Sequence, residues 1–236
     1  MRALAGSELL SLWERGAQRH PLDRSALLAA AARPDWEAAT IVDLPLGAVN
    51  ASLLQLRSAS FGPHIAGHAD CAQCGQRLAF TLDTQQLLAL AGTGTRPTSI
   101  EAEGLCLRAP SLRDLAAVAH EADAERATRT LLARCTLAGD AAQIDAAALR
   151  TIEAALDTLD PQADLAIALQ CVACGHAGAA QLDPGALLWD DIAAQALRLL
   201  EQVHRLASAY GWSEDQILAL SPARRASYLA LLGAAP

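Results

Sequence analysis

The sequence predicts a mainly α-helical protein with two small β-hairpins, each turned by a Cys-x-x-Cys-Gly knuckle. Three observations carry that prediction. Aromatics make up only 3% of the 236 residues while 53% are hydrophobic, so the core is built largely from Ala and Leu, which favour helix. Cys71-Ala72-Gln73-Cys74-Gly75 returns a hundred positions later as Cys171-Val172-Ala173-Cys174-Gly175, with Ala79, Leu82, Asp83, Leu87 and Leu88 recurring as Ala179, Leu182, Asp183, Leu187 and Leu188. Leu188, Ile192, Ala196, Leu199, Val203, Leu206 and Tyr210 step by threes and fours, which draws a narrow apolar seam along one long helix.

The elements follow in order. Ser7 is expected to cap a first helix through Trp13, and Asp23 or Ser25 to start a second. Asp43-Leu44-Pro45-Leu46-Gly47 breaks the chain, and a helix carrying Leu53, Leu54 and Leu56 ends at Phe61-Gly62-Pro63. Strands are expected over 64–69 and 77–82, on either side of the first knuckle. Asp83-Thr84-Gln85-Gln86 has the form of a capping box, opening a helix that stops at Gly92. The loop after it, Gly92-Thr93-Gly94-Thr95-Arg96-Pro97, has no following lysine and no preceding strand, so it is not read as a phosphate loop.

Leu105 to Arg108 reads as a strand, and Ser111-Leu112-Arg113-Asp114 as a capping box that opens a run of helices. Leu149, Ile152, Leu156 and Leu159 then mark another helix. Leu165, Ile167 and Leu169 alternate as a strand should. After the second knuckle, Asp183-Pro184 supplies an N-cap and a first helical residue. Ser213 and Ser221-Pro222 open two short C-terminal helices.

The reading is therefore an internally duplicated unit of helix, strand, knuckle, strand and helix. N-terminal helices occupy 1–42, the first knuckle unit 43–110, a helical connector 111–143, the second knuckle unit 144–187 and C-terminal helices 188–236. All five are expected to form one compact domain.

Four thiolates fill the coordination sphere of a structural zinc ion. Cys71, Cys74, Cys171 and Cys174 are therefore expected to bind one Zn²⁺, which would tie two distant, zinc-ribbon-like hairpins together and be structural, with no open position for catalysis. Compact ribbons place their knuckles roughly 15–20 residues apart, so these hairpins must meet by folding. Two other arrangements stay open. His64 or His68 could complete the first knuckle and His176 the second. A dithiol redox pair is also conceivable, although a redox Cys-x-x-Cys usually opens a helix. Cys106 and Cys135 read as buried small apolar residues.

The remaining chemistry is sparse. His120, Glu121 and Asp123 point in different directions on a helix and read as a solvated face. No nucleophile motif and no active site emerge, so the chain is expected not to be an enzyme. A net charge of -8 argues against nucleic-acid binding, which rests on a basic surface. No stretch approaches the about eighteen apolar residues of a membrane span, and Glu8 and Glu14 interrupt the N-terminal apolar segment, so neither membrane nor signal peptide is expected. The long seam is expected to pack into the protein's own core, with Trp189, Tyr210 and Trp212 near its ends as candidate partner-binding aromatics. A homodimer through this helix is the other use it could have.

The order of motifs resembles a known family. Leu44-Pro45-Leu46-Gly47, Phe61-Gly62 and the first knuckle with its Leu82-Asp83 tail resemble the T-even phage baseplate hub assembly chaperones. Tyr210-Gly211-Trp212-Ser213, Ile217-Leu218-Ala219-Leu220 and Arg224-Arg225 to Tyr228-Leu229 are similar to the C-terminal pattern of those proteins. After the second knuckle, Gly178-Ala179-Ala180 departs from the family's pattern, where an aromatic or larger apolar residue is expected. The resemblance implies a non-enzymatic chaperone for the baseplate hub of a contractile phage tail or an extracellular contractile injection particle, acting in the cytoplasm on hub or spike proteins. The alternatives are a permanent structural baseplate subunit and a zinc-ribbon regulator that binds nucleic acid.

Overall fold

The computed structural model describes residues 2–90 and 97–233. Among them it is mainly helical, with three small antiparallel sheets. The N-terminal part holds α1 (Gly6–Gly16), α2 (Pro21–Ala32), a 3-10 turn (Ile41–Asp43) and α3 (Leu46–Phe61). Next come β1 (His64–Asp70), β2 (Arg77–Asp83) and α4 (Thr84–Ala89). The middle holds β3 (Ser99–Ala102), β4 (Leu105–Arg108), α5 (Leu112–Val118), α6 (Ala124–Cys135), β5 (Thr136–Ala138), a second 3-10 turn (Ala141–Gln143) and α7 (Ala146–Leu159). The last part is β6 (Leu165–Gln170), β7 (Ala177–Leu182), α8 (Pro184–Tyr210), α9 (Glu214–Leu218) and α10 (Pro222–Gly233).

The main core forms where α1, α2 and α3 pack on the first half of α8. Leu28, Leu53, Leu188, Ile192 and Ala196 are all fully buried there. The seam on α8 is thus spent on the protein's own packing: Leu188 to Leu199 enter the main core, Val203 is half-buried, Leu206 is fully buried, and Tyr210 is exposed. Asp183 caps α8 by accepting from the Gly185 and Ala186 N–H groups, with Pro184 at the first helical position. Arg57, at the C-terminal end of α3, donates to the carbonyls of Gly62 and His64. Its Nε lies 2.8 Å from Asp191 Oδ2, as an ion pair rather than an aligned hydrogen bond. It fastens the entry of β1 to α8.

Several local starts differ from expectation. The N-cap of α1 is Ala5, not Ser7, because Glu8 reaches back to the Ala5 N–H. α2 begins at Pro21 rather than at Asp23 or Ser25. Proline suits the first helical position, and His20 Nδ1 accepts from the Leu22 N–H. Asp83 does cap α4, through the Gln85 N–H, without a return bond from Gln86 among the described residues. Gly92 and the loop 92–96 lie outside the described residues.

The sheet β3-β4-β5 was not expected beyond β4. It carries a separate small core of Leu105, Leu107, Leu132 and Ile152. Asp114 ties this part together. It is 1% exposed and accepts from Arg108 through both oxygens at 2.6 and 3.1 Å, from Arg134 Nε at 2.9 Å and from Ser111 N and Oγ at 3.0 and 2.8 Å. The Ser111 capping box is therefore also the junction of β4, α5 and α6.

Candidate metal centre

Each knuckle is closed by the same two backbone hydrogen bonds. Cys71 N–H donates to Gln76 O at 2.9 Å and Gly75 N–H to Cys71 O at 2.8 Å; in the second, Cys171 N–H donates to His176 O at 2.8 Å and Gly175 N–H to Cys171 O at 2.9 Å. Gly75 and Gly175 take φ of 72° and 74°, a left-handed conformation costing other residues roughly 1–2 kcal/mol. This turn aims amide N–H groups at the first cysteine of each knuckle. The amides of Cys74 and Gln73 hold the Cys71 thiol below its ordinary value, and those of Cys174 and Ala173 bring Cys171 down to about 6.

The two hairpins face one another. Ile65, Leu165 and Leu182 are buried between them together with Leu54 of α3. At their tips the four sulfurs converge: Cys71 Sγ lies 3.7 Å from Cys174 Sγ and Cys74 Sγ 3.6 Å from Cys171 Sγ. All four lie within 4.8 Å of one another. Cys71 and Cys171 are buried, Cys74 and Cys174 exposed. The His176 amide draws the Cys174 thiol down, but burial and the other three sulfurs prevail and push it up to about 12. Four sulfurs this close cannot all carry charge without a cation among them. The cluster can hold a metal ion.

No family model, curated protein or solved structure matches this chain.

The second hairpin forms in full despite Gly178-Ala179-Ala180, with Ile167 opposite Ala180 and Leu169 opposite Gly178. In the first hairpin the same pairs are Gly67–Phe80 and Ala69–Leu78. The large residue has changed strands in both pairs. Phe80 folds over Gly67, where an added Cβ would lie 2.6 Å from its ring, an aromatic covering a glycine on the partner strand. The small residues of β7 are thus answered across the hairpin. The signal is present in the sequence, at the hundred-residue offset, but only pairing register reveals it.

His64, His68 and His176 do not join the four sulfurs in the cluster. Cys106 and Cys135 lie outside it as well, and burial raises the Cys135 thiol to about 11. Glu121 bonds the Asp123 N–H and pairs with Arg126, while Asp123 caps α6, so these acids hold local structure.

The three candidate aromatics separate. Trp189 is half-buried against the main core, with Arg24 4.5 Å above its ring, and a methyl on Gly16 would strike that ring. Tyr210 stacks on Trp212 at 4.7 Å, and Tyr228 of α10 meets both edge-on at 5.7 and 4.9 Å. Tyr210 and Trp212 are neighbours in sequence; Tyr228 arrives from another helix.

Proposed function

We propose that the two hairpin units arose by duplication and that their cysteines bind one structural Zn²⁺, as zinc-ribbon halves in a non-enzymatic chaperone for the baseplate hub of a contractile phage tail or related injection particle. The observation that carries the staple is the sulfur spacing. A zinc ion with Zn–S bonds of about 2.3 Å implies sulfur–sulfur edges of about 3.8 Å; two of the six edges, at 3.7 and 3.6 Å across the hairpins, are close to that, and the remaining pairs lie within 4.8 Å. Cysteine fills every position, leaving none for water or substrate.

The assembly role draws its support from the motif order that resembles the hub chaperones. Its C-terminal part, Tyr210, Trp212 and Tyr228, comes together as one aromatic cluster. Among the described residues no helix is long and apolar enough to cross a membrane. Acidic charge keeps a chaperone–client complex soluble, and the client is released when its correct neighbour binds better.

The test is capture of the tagged protein from cells expressing its native gene cluster, with co-purifying proteins identified by mass spectrometry. A hub or spike protein is the expected client. Recovery of nucleic-acid machinery alone, or of no particle protein, contradicts the reading. Stoichiometric presence of the chain in purified particles would make it a permanent subunit instead.

A further inference from the structure

The small core over the β3-β4-β5 sheet is left open on one side. Leu132 of α6 and Ile152 of α7 are buried in it, but Ile144, Leu149 and Leu156 are covered only in part. α6 packs along α5 and α7 along β3 and β4, and a furrow runs between the two helices. Thr128, Leu132 and Leu149 line it on both sides. One hollow of about 330 Å³ opens toward Asp145, and another of about 180 Å³ toward Leu131 and Leu156.

The charges at its rim are unequal. Arg129 and Glu125 both line the first hollow and are tied to one another at 2.7 Å, so that cation is matched within the protein. Asp145 lines the first hollow, where its Oδ1 caps α7 by accepting from the Ala147 and Ala148 N–H groups and Arg150 lies near enough to favour its charge. Glu153 lines the second, and among the described residues neither acid makes an ion pair. The furrow is apolar inside and acidic at both mouths.

We propose that this furrow is the client-docking surface and that its occupant is a basic amphipathic helix of the partner. Leu- or Ile-sized side chains at helical spacing would fill the two hollows, with Arg or Lys beside them to meet Asp145 and Glu153. A third helix laid between α6 and α7 covers Leu149 and Leu156 at ordinary helix-packing distances of about 8–10 Å. The partner's role rests on the chaperone reading; its chemistry rests on the furrow alone.

The probe is a labelled synthetic peptide of about 18 residues, five helical turns, with Leu at i, i+3, i+4 and i+7 and Arg on the flanks. It is titrated by fluorescence anisotropy against the full-length, zinc-replete protein. The expected result is saturable one-to-one binding, weakened roughly tenfold or more (about 1.4 kcal/mol) by Thr128→Trp, which fills the furrow, and by Glu153→Arg. Leu197→Ala, at an exposed position of α8 away from the furrow, leaves binding unchanged, and a Glu-flanked peptide of the same apolar face binds at least as weakly as the variants. No binding, equal binding of both peptides, or loss with Leu197→Ala alone overturns the proposal. Glu153 is exposed, so Glu153→Arg decides between these outcomes should Thr128→Trp fail to fold.

The same variants separate this proposal from the chaperone reading in the native-cluster capture. A hub or spike protein recovered equally by wild type and both variants overturns the furrow and leaves the chaperone standing. Peptide binding without any particle protein in the capture overturns the chaperone and leaves the furrow.

Discussion

Gly47 and Asp160 are fastened to one another across the core: the Gly47 N–H donates to Asp160 Oδ2 at 2.8 Å, and a methyl group on Gly47 would collide with that carboxylate. The contact joins the start of α3 to the end of α7, with Asp160 only 4% exposed. A carboxylate is favourable at a helix N-terminus. It explains why the break before α3 must end in glycine.

Gly47→Ala therefore forces the two apart and is expected to cost about 3 kcal/mol from overpacking and a strained charged hydrogen bond. For a chain of this size that is a fall in melting temperature of roughly 6–12 °C. A thermal melt within a degree or two of wild type would sink the idea.

Asp114 sets an acid limit on stability. Burial alone would raise its carboxyl, but the Arg108 guanidinium and the Ser111 hydroxyl outweigh it and hold it at about 2, against an ordinary 3.8. A depressed carboxylate contributes its stability above the unfolded value and loses it as pH falls through the folded one. About 2 kcal/mol should thus disappear between pH 4 and pH 2. Asp114→Asn is expected to be about 3–5 kcal/mol less stable at pH 7, with Arg108 and Arg134 left uncompensated, and to lack that share of the acid loss. Denaturant melts across this range measure both.

The exchanged hairpin pairs predict a rescue. Gly67→Ile alone crowds Phe80, and Phe80→Ala alone uncovers Gly67, so each single variant should lose stability. The double variant reproduces the Ile167–Ala180 pair of the other hairpin and should be more stable than the sum of the singles implies, by about 0.5–3 kcal/mol of coupling. Strict additivity in the double-mutant cycle would show that the two pairs are unrelated.

Serine at any one of Cys71, Cys74, Cys171 or Cys174 should abolish stoichiometric metal and lower the melting temperature by roughly 6 °C or more, the equivalent of about 3 kcal/mol. Cys106→Ser and Cys135→Ser should keep the metal, because neither thiol belongs to the cluster. Metal content and melting temperature of the six variants read this directly.

What the sequence made legible was what nearby residues decide. The knuckles, their flanking strands, the Asp183-Pro184 start and the α8 seam each rest on a pattern within one element. β3 and β5 escaped because they are four and three residues long and are held by β4 rather than by their own alternation; Thr136-Leu137-Ala138 reads as the tail of α6. The Asp114 junction escaped because its two arginines come from β4 and α6. The furrow is a gap between helices whose apolar faces look, in sequence, like ordinary core.

The most direct test of the central claim is to count the metal in protein purified under reducing conditions and to measure its first shell by X-ray absorption. The account predicts one zinc per chain surrounded by four sulfurs at about 2.3 Å. Two ions per chain, nitrogen in the first shell, or no stoichiometric metal would contradict the shared staple.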